Sequence, residues 1–405
     1  MGAVAVAAVI VAEGAVWLLR PRGEIIDPAE IEATAYFSPA ELRRGEDFRE
    51  VQRWLGVGGL AVSGAVLTVV ALWRPPAARR ALQAAGRRPL LGGAAVGGAI
   101  SVALALADLP LSAVAHERAV DVGLATQDLG DWLGDQAKAG AIGAAFAALG
   151  GAAMMLLVRR LGRRWWAGGA VLVVGFAVLT SWLAPVVIAP LFNDFDELPP
   201  GGTRSEVLRL GERAGVEIGE VYEVDASRRS TGLNAYVGGL GPTKRVVLYD
   251  NLLREQPPAV VNSVVAHELG HVDGEDIWRG IAFVALVAPL GVLFVQLLAE
   301  AIARRRGDDP RSPAVIPAVA LSLSAASLVI GAAGLQLSRA VEARADTFAL
   351  ELTRDPQAFV RLQRELALTN VSDPDPPAAF RLVFGSHPTT VERIGAARAY
   401  ERETD

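Results

Sequence analysis

Long apolar stretches separated by polar segments organise the chain. Seven of them are close to the length, about 20 residues, that a helix needs to cross a bilayer. They cover residues 3–19, 54–73, 89–115, 140–158, 167–191, 279–303 and 313–337. The first contains Glu13 and has no basic segment before it, which favours a transmembrane helix over a cleaved signal peptide. Tryptophan lies at several of the ends, where indole suits the boundary between lipid and water. The pattern predicts seven transmembrane helices.

The polar segment between the fifth and sixth stretches has the pattern of a small α/β unit. It predicts an amphipathic helix at 203–214, a strand at 216–224 and a hairpin pair at 233–237 and 245–249. A short amphipathic segment is expected separately at 39–53. We expect four parts: a membrane region with five helices at 1–191, an α/β segment at 192–277, helices six and seven at 278–337, and a helical C-terminal part at 338–405.

Composition supports a membrane protein and limits its chemistry. Of the 405 residues, 52% are hydrophobic and only 20% are charged, which is an apolar excess over ordinary soluble proteins. The net charge of −5 gives no reason to expect binding to nucleic acid. Because the chain has no cysteine, disulfides and cysteine nucleophiles are excluded, and any metal must be held by His, Asp or Glu.

Two of the four histidines belong to one motif, His267-Glu268-Leu269-Gly270-His271. Residues four apart lie on one face of a helix, so His267 and His271 can bind the same Zn²⁺ ion. Glu268 lies beside them and can accept the proton of a water that the metal activates. The motif therefore predicts one zinc ion per chain, with Glu268 as the catalytic base of a hydrolase.

A catalytic zinc site needs a third protein ligand. His116, at the end of the third apolar stretch, is one candidate. Glu342 is the better one, because it lies four residues before Asp346 on a helix that continues the seventh stretch. Glu342 can then bind the metal, while Asp346 accepts the spare ring N–H of a ligand histidine. Surface ion pairs on an ordinary solvated helix are the alternative explanation for this acidic pair.

Several motifs in order along the C-terminal half resemble the M48 family of membrane zinc metallopeptidases, and within it the CAAX prenyl protease 1 (Ste24-like) branch. They are residues 190–195 (PLFNDF), 233–236 (LNAY) with 245–250 (RVVLYD), 267–271 (HELGH), 338–346 with Glu342 and Asp346, and Ser386-His387-Pro388 with Glu392 and Arg393.

The resemblance implies a mainly α fold: an integral membrane bundle of seven transmembrane helices that encloses a chamber, with a small α/β zincin-type catalytic domain at one end. It implies that Glu342 is a zinc ligand and that Asn234 and His387 lie near the peptide bond being cut. Arg393 would be a supporting cation. We group Asn234, Tyr236 and Arg393 as substrate-binding residues and treat His387 as catalytic, because an imidazole can stabilise a developing oxyanion.

These features predict a membrane-embedded zinc endopeptidase. Its partners would be the lipid bilayer and a peptide or protein substrate, with C-terminal or lipidated substrates as one option. Three alternatives compete: an HtpX-like quality-control protease of the same family, a site-2 class intramembrane metalloprotease, and a seven-helix transporter or receptor with an idle metal site. The count of seven spans argues against the HtpX-like protease. The polar segment before the histidine helix argues against the site-2 class. The complete catalytic set argues against a transporter or receptor.

The orientation in the membrane stays open at the level of sequence. Three arginine-rich loops, at 74–88, 159–164 and 304–311, share one side by parity. The positive-inside rule then places the zinc segment outside the cell. The resemblance to eukaryotic Ste24-like enzymes implies the cytosolic side instead.

Overall fold

A computed structural model describes residues 1–239 and 244–404. Within them the chain forms a helical membrane part and a smaller domain with one mixed sheet. The helices of the membrane part are α1 (Gly2–Leu19), α2 (Pro39–Thr68), α3 (Pro76–Ala85), α4 (Pro89–Asp121), α5 (Leu129–Leu161), α6 (Trp165–Leu183), α10 (Asp276–Arg306) and α11 (Ile316–Thr353). The other helices are α7 (Gly202–Arg213), α8 (Asp250–Glu255), α9 (Pro258–Asp273), α12 (Pro356–Thr369), α13 (Ala378–Phe384) and α14 (Thr390–Thr404). The strands are β1 (Phe195–Glu197), β2 (Glu220–Val224), β3 (Ala235–Gly238) and β4 (Arg245–Tyr249).

Seven of these helices are the predicted membrane spans. In the part of the chain that the structure describes, six helical segments are long and apolar enough to cross a bilayer, and one of them, Leu129–Leu191, contains both α5 and α6. The spans are therefore α1, α2, α4, α5, α6, α10 and α11. One expectation was wrong: residues 39–53 are the first turns of α2 rather than a separate segment. No proline interrupts the chain between them and the apolar stretch, and Ser38 caps the longer helix through reciprocal hydrogen bonds with Glu41.

Neighbouring spans close into a ring. Helix α2 packs on α4, α4 on α5, α5 on α6, α6 on α10, α10 on α11, and α11 returns to α2. Helix α1 lies against α10 and α11. Only 0–33% of the most apolar window of each span is buried, as expected when one face meets lipid and the other an interior. The arrangement agrees with the chamber that the family resemblance implies.

The ring is closed at the end that carries the arginine-rich loops. Arg74 forms an ion pair with Asp308 at 2.7 Å and donates to the carbonyl of Ala314 at 2.6 Å. These bonds tie the loop after α2 to the loop between α10 and α11. Apolar side chains from α4, α5, α10 and α11 fill this end of the ring. We call this packed base the floor, and its buried members include Met155, Val158, Ala299, Ala303 and Val315.

Helices α4 and α5 approach each other through glycine. A Cβ atom on Gly97 would lie 2.3 Å from the carbonyl oxygen of Ala147, and one on Gly151 would lie 2.2 Å from the carbonyl oxygen of Gly93. Both distances are far shorter than van der Waals contact, so only a hydrogen atom fits there. Small residues let two membrane helices pack backbone against backbone, which dispersion forces stabilise.

Polar side chains inside the spans have partners within the bundle. Gln336 donates to Glu13 at 3.1 Å, and Ser112 donates to Asp108 at 2.6 Å. Gln296 binds two backbone groups near the start of α6. Other protein groups therefore supply hydrogen-bond partners for these side chains, which lipid alone would solvate poorly.

The smaller domain is built on a four-stranded sheet with the strand order β1-β2-β4-β3. Strand β2 is parallel to β4, whereas β1 and β3 pair antiparallel with β2 and β4. The predicted strand is present, and β3 pairs antiparallel with β4 as predicted, whereas most of the turn between them lies outside the described residues. Strand β1 was not predicted. One face of the sheet packs against α7, α8 and α9 through apolar residues such as Val221, Val246 and Leu269. Strand β3 is at the edge and contacts α9.

Helix α11 joins the two parts of the molecule. It runs without interruption over 38 residues. At about 1.5 Å per residue it is roughly 57 Å long, well beyond the roughly 30 Å of a bilayer's hydrocarbon core. Its C-terminal half packs against α9, where the backbone of Ala345 lies close to Gly270. The last span therefore carries its own C-terminal residues into the domain that holds the histidine motif.

Candidate metal centre and active site

Helix α9 presents the histidine motif. It begins after Pro257, with Pro258 in the first turn, where a backbone N–H would have no helical partner. Most of its side chains are buried between the sheet and α11. This packing holds His267 and His271 on one face of a helix in the middle of the domain.

Two ring nitrogens on α9 converge with a carboxylate from α11. Nε2 of His267 lies 3.2 Å from Nε2 of His271 and 3.2 Å from Oε2 of Glu342. Oε1 of Glu342 lies 3.7 Å from Nε2 of His271. One ligand atom from each of the three residues can be chosen so that all lie within 4.8 Å of one another. His267 and Glu342 are buried, and His271 is partly buried.

This geometry fits a tetrahedral zinc ion. Two ligands bound at about 2.1 Å to such an ion lie about 3.4 Å apart, and the separations here are 3.2–3.7 Å. Two imidazoles and one carboxylate also form a known ligand set of catalytic zinc sites. Oε2 of Glu342 is buried and has no hydrogen-bond partner among the described residues. A cation would supply the partner that this oxygen lacks.

Each of the two histidines is held by a carboxylate at its other ring nitrogen. Nδ1 of His267 lies 2.9 Å from Asp346 on α11, and Nδ1 of His271 lies 3.0 Å from Asp276 at the start of α10. An Nδ1–H that donates to a carboxylate leaves the Nε2 lone pair free for a metal. Burial lowers the pKa of His267, but the nearby carboxylates of Asp346 and Glu342 outweigh it and raise that pKa to about 9. Metal binding at His267 therefore competes with a proton.

Two arginines hold these carboxylates in turn. Nε of Arg393 donates to Asp346 at 2.8 Å, and a second guanidinium nitrogen binds the other oxygen. Burial lowers the pKa of Arg393, but the ion pair with Asp346 outweighs it and raises that pKa. Nε of Arg279 donates to Asp276 at 3.1 Å, and the same guanidinium binds the carbonyl of Leu19 at the end of α1. Each carboxylate is therefore fixed from two sides.

Glu268 lies on α9 beside the edge strand β3. Burial raises the pKa of its carboxyl group, and the neighbouring His267 and His271 oppose that rise. The backbone N–H of Val237 hydrogen-bonds the carboxylate. A carboxylate whose pKa is raised toward neutrality accepts a proton at neutral pH more readily than an ordinary one. The position of Glu268 and the direction of its pKa shift suit a general base.

His387 lies beside the candidate ligands, and Asn234 lies at the start of the strand next to Glu268. Nε2 of His387 lies 3.3 Å from Oε1 of Glu342, and its side chain is 54% exposed. Nδ1 of His387 lies 2.8 Å from the hydroxyl of Ser386. Asn234 is exposed and immediately precedes β3. The structure therefore brings His387 to the candidate ligands and Asn234 to the start of the strand beside Glu268.

The other predicted residues lie elsewhere. The ring of Tyr236 packs with aromatic neighbours in a cluster separate from the one that contains α9. The guanidinium of Arg393 lies behind His267 and is only 13% exposed. Substrate contact by either residue stays a prediction. His116, the alternative metal ligand, stacks on Trp132 with the ring centroids 5.0 Å apart and is not a member of the three-residue group.

Asp276 and Arg279 were not predicted from the sequence. Asp276 is five residues after His271, and only the turn between α9 and α10 returns it to the imidazole. That turn passes through Glu275 in the left-handed conformation, with φ at +53°, which is uncommon for a residue other than glycine. The available signal was an acidic residue directly after the helix that ends near Gly274.

Two protein-family models match the chain. The model described as peptidase family M48 matches residues 201–401. The model described as the CAAX prenyl protease N-terminal region, with five membrane helices, matches residues 51–194. Together they leave only 1–50, 195–200 and 402–405 unmatched.

Comparisons with individual proteins agree with the two family models. The uncharacterized metalloprotease YhfN of Bacillus subtilis is 28% identical over 394 residues, 93% of this chain and 90% of that protein. The CAAX prenyl protease 1 homolog of Arabidopsis thaliana is 33% identical over 234 residues, which is 55% of this chain and 53% of the plant protein. This second match therefore spans about half of either protein. The crystal structure of S. mikatae Ste24p covers 98% of this chain and 97% of its own, with a TM-score of 0.80 at 20% identity, which shows a shared fold.

The family matches and the fold lead to the same assignment. Both halves of the chain match models of one group of membrane proteases. The N-terminal match also favours the Ste24-like branch over the HtpX-like alternative. The chain belongs to peptidase family M48, and it is a multi-pass membrane metalloprotease that acts on peptide or protein substrates.

Proposed function

We propose that this protease is a zinc endopeptidase in which His267, His271 and Glu342 hold one zinc ion and Glu268 is the general base. The observation that carries the proposal is the convergence of two imidazole Nε2 atoms and the Glu342 carboxylate, at separations of 3.2–3.7 Å. The carboxylates at the two Nδ1 atoms support it, because they direct both Nε2 lone pairs to one point.

Glu268 would move the proton during hydrolysis. A zinc ion held at this position supplies Lewis acidity, which polarises a carbonyl group and lowers the pKa of water. Glu268 takes a proton from the attacking water and later delivers it to the leaving amine. The raised pKa of its carboxyl group suits both steps, because the same group must accept and then release the proton near neutral pH.

The edge strand β3 offers a template for an extended peptide. The N–H of Tyr249 donates to the carbonyl of Asn234 at 3.2 Å, so Asn234 directs its hydrogen-bonding groups toward β4. Ala235 and Val237 are the alternate residues and direct theirs toward the free edge. We infer that the substrate backbone pairs with Ala235 by strand addition. Glu268, which binds the N–H of Val237, would then lie beside the scissile bond.

His387 would stabilise the charge that develops on the carbonyl oxygen. Its Nε2 lies 3.3 Å from Oε1 of Glu342 and its side chain is 54% exposed, so a substrate bound beside the candidate ligands would be within its reach. The hydroxyl of Ser386 contacts its other nitrogen and orients the ring. A donor that is already aimed at the oxyanion position lowers the barrier without reorganisation during the reaction.

We infer the substrate class from the names of the relatives and from the position of the site. The matched proteins of Arabidopsis thaliana and Saccharomyces cerevisiae are named as CAAX prenyl protease 1 proteins. We propose that this protease likewise cuts membrane-associated proteins near the C-terminus, including lipidated ones. The site lies where α11 leaves the ring, so a substrate that is anchored in the membrane can approach it.

The test of the proposed chemistry is Glu268→Gln. The variant should keep its zinc, because Glu268 is not a ligand, and should lose at least about 100-fold in peptide hydrolysis, the lower range for a general base. Zinc content and cleavage of a quenched fluorescent peptide are measured together. Glu255→Gln, at an exposed position on α8, is the matched control and should behave like the parent. Full activity of Glu268→Gln would overturn the assignment of Glu268, and absence of zinc from the active parent would overturn the assignment of the metal.

A further inference from the structure

A cavity of about 420 Å³ lies directly above the floor of the ring. It is lined by residues from α4, α5, α6, α10 and α11. These are five consecutive members of the closed ring. A groove on the outer surface of a ring is lined by only two or three neighbouring helices, so a cavity that touches five must lie inside. The cavity is therefore the inner end of the chamber.

The direction of the helices shows which end of the cavity is closed. Helix α6 begins at the arginine-rich loop, so Trp165 and Gly169 lie deepest, and Leu172 is nearer to the catalytic domain. On α11, Ile316 is deep, and Leu323 is nearer to the catalytic domain. Below the deep residues lies the packed floor. The cavity is thus bounded on one side by the packed floor, and its other residues are nearer to the catalytic domain.

The lining of this cavity is almost entirely hydrocarbon. Among its lining residues, all of which belong to the described part of the chain, only Ser101 and the indole of Trp165 carry a polar side-chain atom. None of them is charged. Cavities lined in this way stay dry and take apolar ligands, and the volume is within the usual range of ligand sites, about 300–1,000 Å³.

We propose that this cavity binds a single hydrocarbon chain. Its walls offer no partner for a charged or strongly polar headgroup, so the polar end of the ligand must extend toward the catalytic domain. The chain is either the acyl tail of a membrane lipid that enters the ring or a lipid attached to a substrate. The binding chemistry is the same for both, and the proposal does not depend on the catalytic mechanism.

The distance to the metal centre makes this a separate site. Leu323 is nineteen residues before Glu342 on the uninterrupted helix α11, which corresponds to about 28 Å. An extended peptide needs roughly eight to nine residues to span that distance. A substrate whose lipid occupies the cavity would therefore carry it about that many residues from the bond that is cut.

Filling the cavity tests the proposal without disturbing the packing. Gly150 on α5 lines the cavity, and a Cβ atom built on it meets nothing within 4 Å. Gly150→Phe therefore places a ring in the space meant for the chain. Gly140 on the same helix also has open space around it and does not line the cavity. Gly140→Phe is the matched control for helix propensity and bulk.

The measurement is photo-crosslinking in nanodiscs, followed by mass spectrometry of the labelled peptides. The probe is a sixteen-carbon chain, about the length of a common acyl tail, with a diazirine near its end. It is presented in one arm as the tail of phosphatidylglycerol and in the other as the acyl group of a synthetic lipopeptide. Thermal unfolding of each variant checks that it is folded.

The proposal predicts labelling of cavity residues on α4, α5, α10 or α11 in at least one arm. Gly150→Phe should reduce the labelling of these cavity residues by about tenfold for every two methylene groups of the chain that the new ring displaces. Gly140→Phe should leave the labelling unchanged. Labelling in the phospholipid arm identifies a membrane lipid as the occupant, and labelling in the lipopeptide arm identifies a substrate lipid. Labelling confined to the outer surface in both arms, or equal labelling of folded Gly150→Phe and the parent, would overturn it.

Discussion

At the scale of single residues, a histidine that binds a metal almost always has its second ring nitrogen held by a hydrogen-bond partner. His267 depends for this on Asp346, and His271 depends on Asp276. The contact with Asp346 could be predicted from the sequence, because Asp346 lies on one helix face with Glu342. The contact with Asp276 could not, since it depends on the left-handed turn between α9 and α10. Helical spacing is a local property, whereas the path of the chain after a helix is set by tertiary packing.

Replacing Asp276 by Ala should weaken zinc binding by about 10–100-fold, the usual effect of losing a carboxylate behind a ligand histidine. The zinc affinity of the apo-protein is measured by competition with a chelator. Asp273→Ala is the matched control: Asp273 is also acidic and nearby, but it is 43% exposed and pairs with Arg344 instead. Equal zinc affinities for the two variants would contradict the role of Asp276.

The environment of Asp250, which lies outside the membrane-spanning helices, predicts that the stability of the protein depends on pH. It is a buried carboxylate at the start of α8 that accepts the backbone N–H of Ser227 at 2.9 Å and also its hydroxyl. Burial raises the pKa of Asp250, but these hydrogen bonds together with Arg254 outweigh burial and lower it. Because the pKa of Asp250 is lower in the folded protein than in the unfolded chain, its charged form stabilises the fold. This contribution is fully present above the pKa of the unfolded chain, near 3.9, and is lost as the pH falls below that value.

The free energy of unfolding of Asp250→Asn at pH 7 should therefore be lower than that of the parent, by about 1 kcal/mol for each charge-assisted bond that becomes neutral. The variant should accordingly unfold at a lower temperature. The difference should shrink as the pH falls below about 4, where the parent carboxylate is protonated too. Thermal unfolding at both pH values measures it, with the exposed Asp375→Asn as the control. A difference that is equal at both pH values would rule out the charge as its cause.

At the scale of elements, the hydrophobic pattern identifies where a helix crosses lipid but not where it ends. Residues 39–53 are polar, yet they continue α2 beyond the bilayer because nothing in them breaks the helix. Helix α11 extends beyond its apolar stretch in the same way, and there the extension was predicted, because Glu342 and Asp346 show helical spacing. Strand β1 has only three residues, which is too short for an alternating pattern to be recognised.

The seam between α4 and α5 provides a prediction at this scale. Gly97→Ala should lower the free energy of unfolding by about 1–3 kcal/mol, because the new methyl group meets a backbone carbonyl that cannot move freely. Gly98→Ala, one residue further, makes only ordinary contacts at 3.5 Å and longer, and it should be neutral or slightly stabilising. Unfolding in mixed micelles, followed by circular dichroism, compares the two. Similar losses in both variants would contradict the close approach at Gly97.

At the scale of the whole molecule, the ring places the catalytic groups where α11 leaves it. The count of seven spans could be predicted from the sequence, but their neighbours in the ring could not. Each span is apolar on most of its surface, so the pattern does not show which face meets lipid and which meets another helix. The chamber was expected only from the family resemblance. The metal centre depends on this arrangement, because its residues come from α9 and α11, which are separated in the chain by the sixth span, α10.

The most direct test of the central claim is anomalous diffraction at the zinc edge from crystals of the zinc-loaded protease. We expect one strong peak per chain, about 2.0–2.2 Å from Nε2 of His267, Nε2 of His271 and a carboxylate oxygen of Glu342. A peak coordinated by other residues, such as His116, or the absence of a peak from crystals of active enzyme, would contradict it.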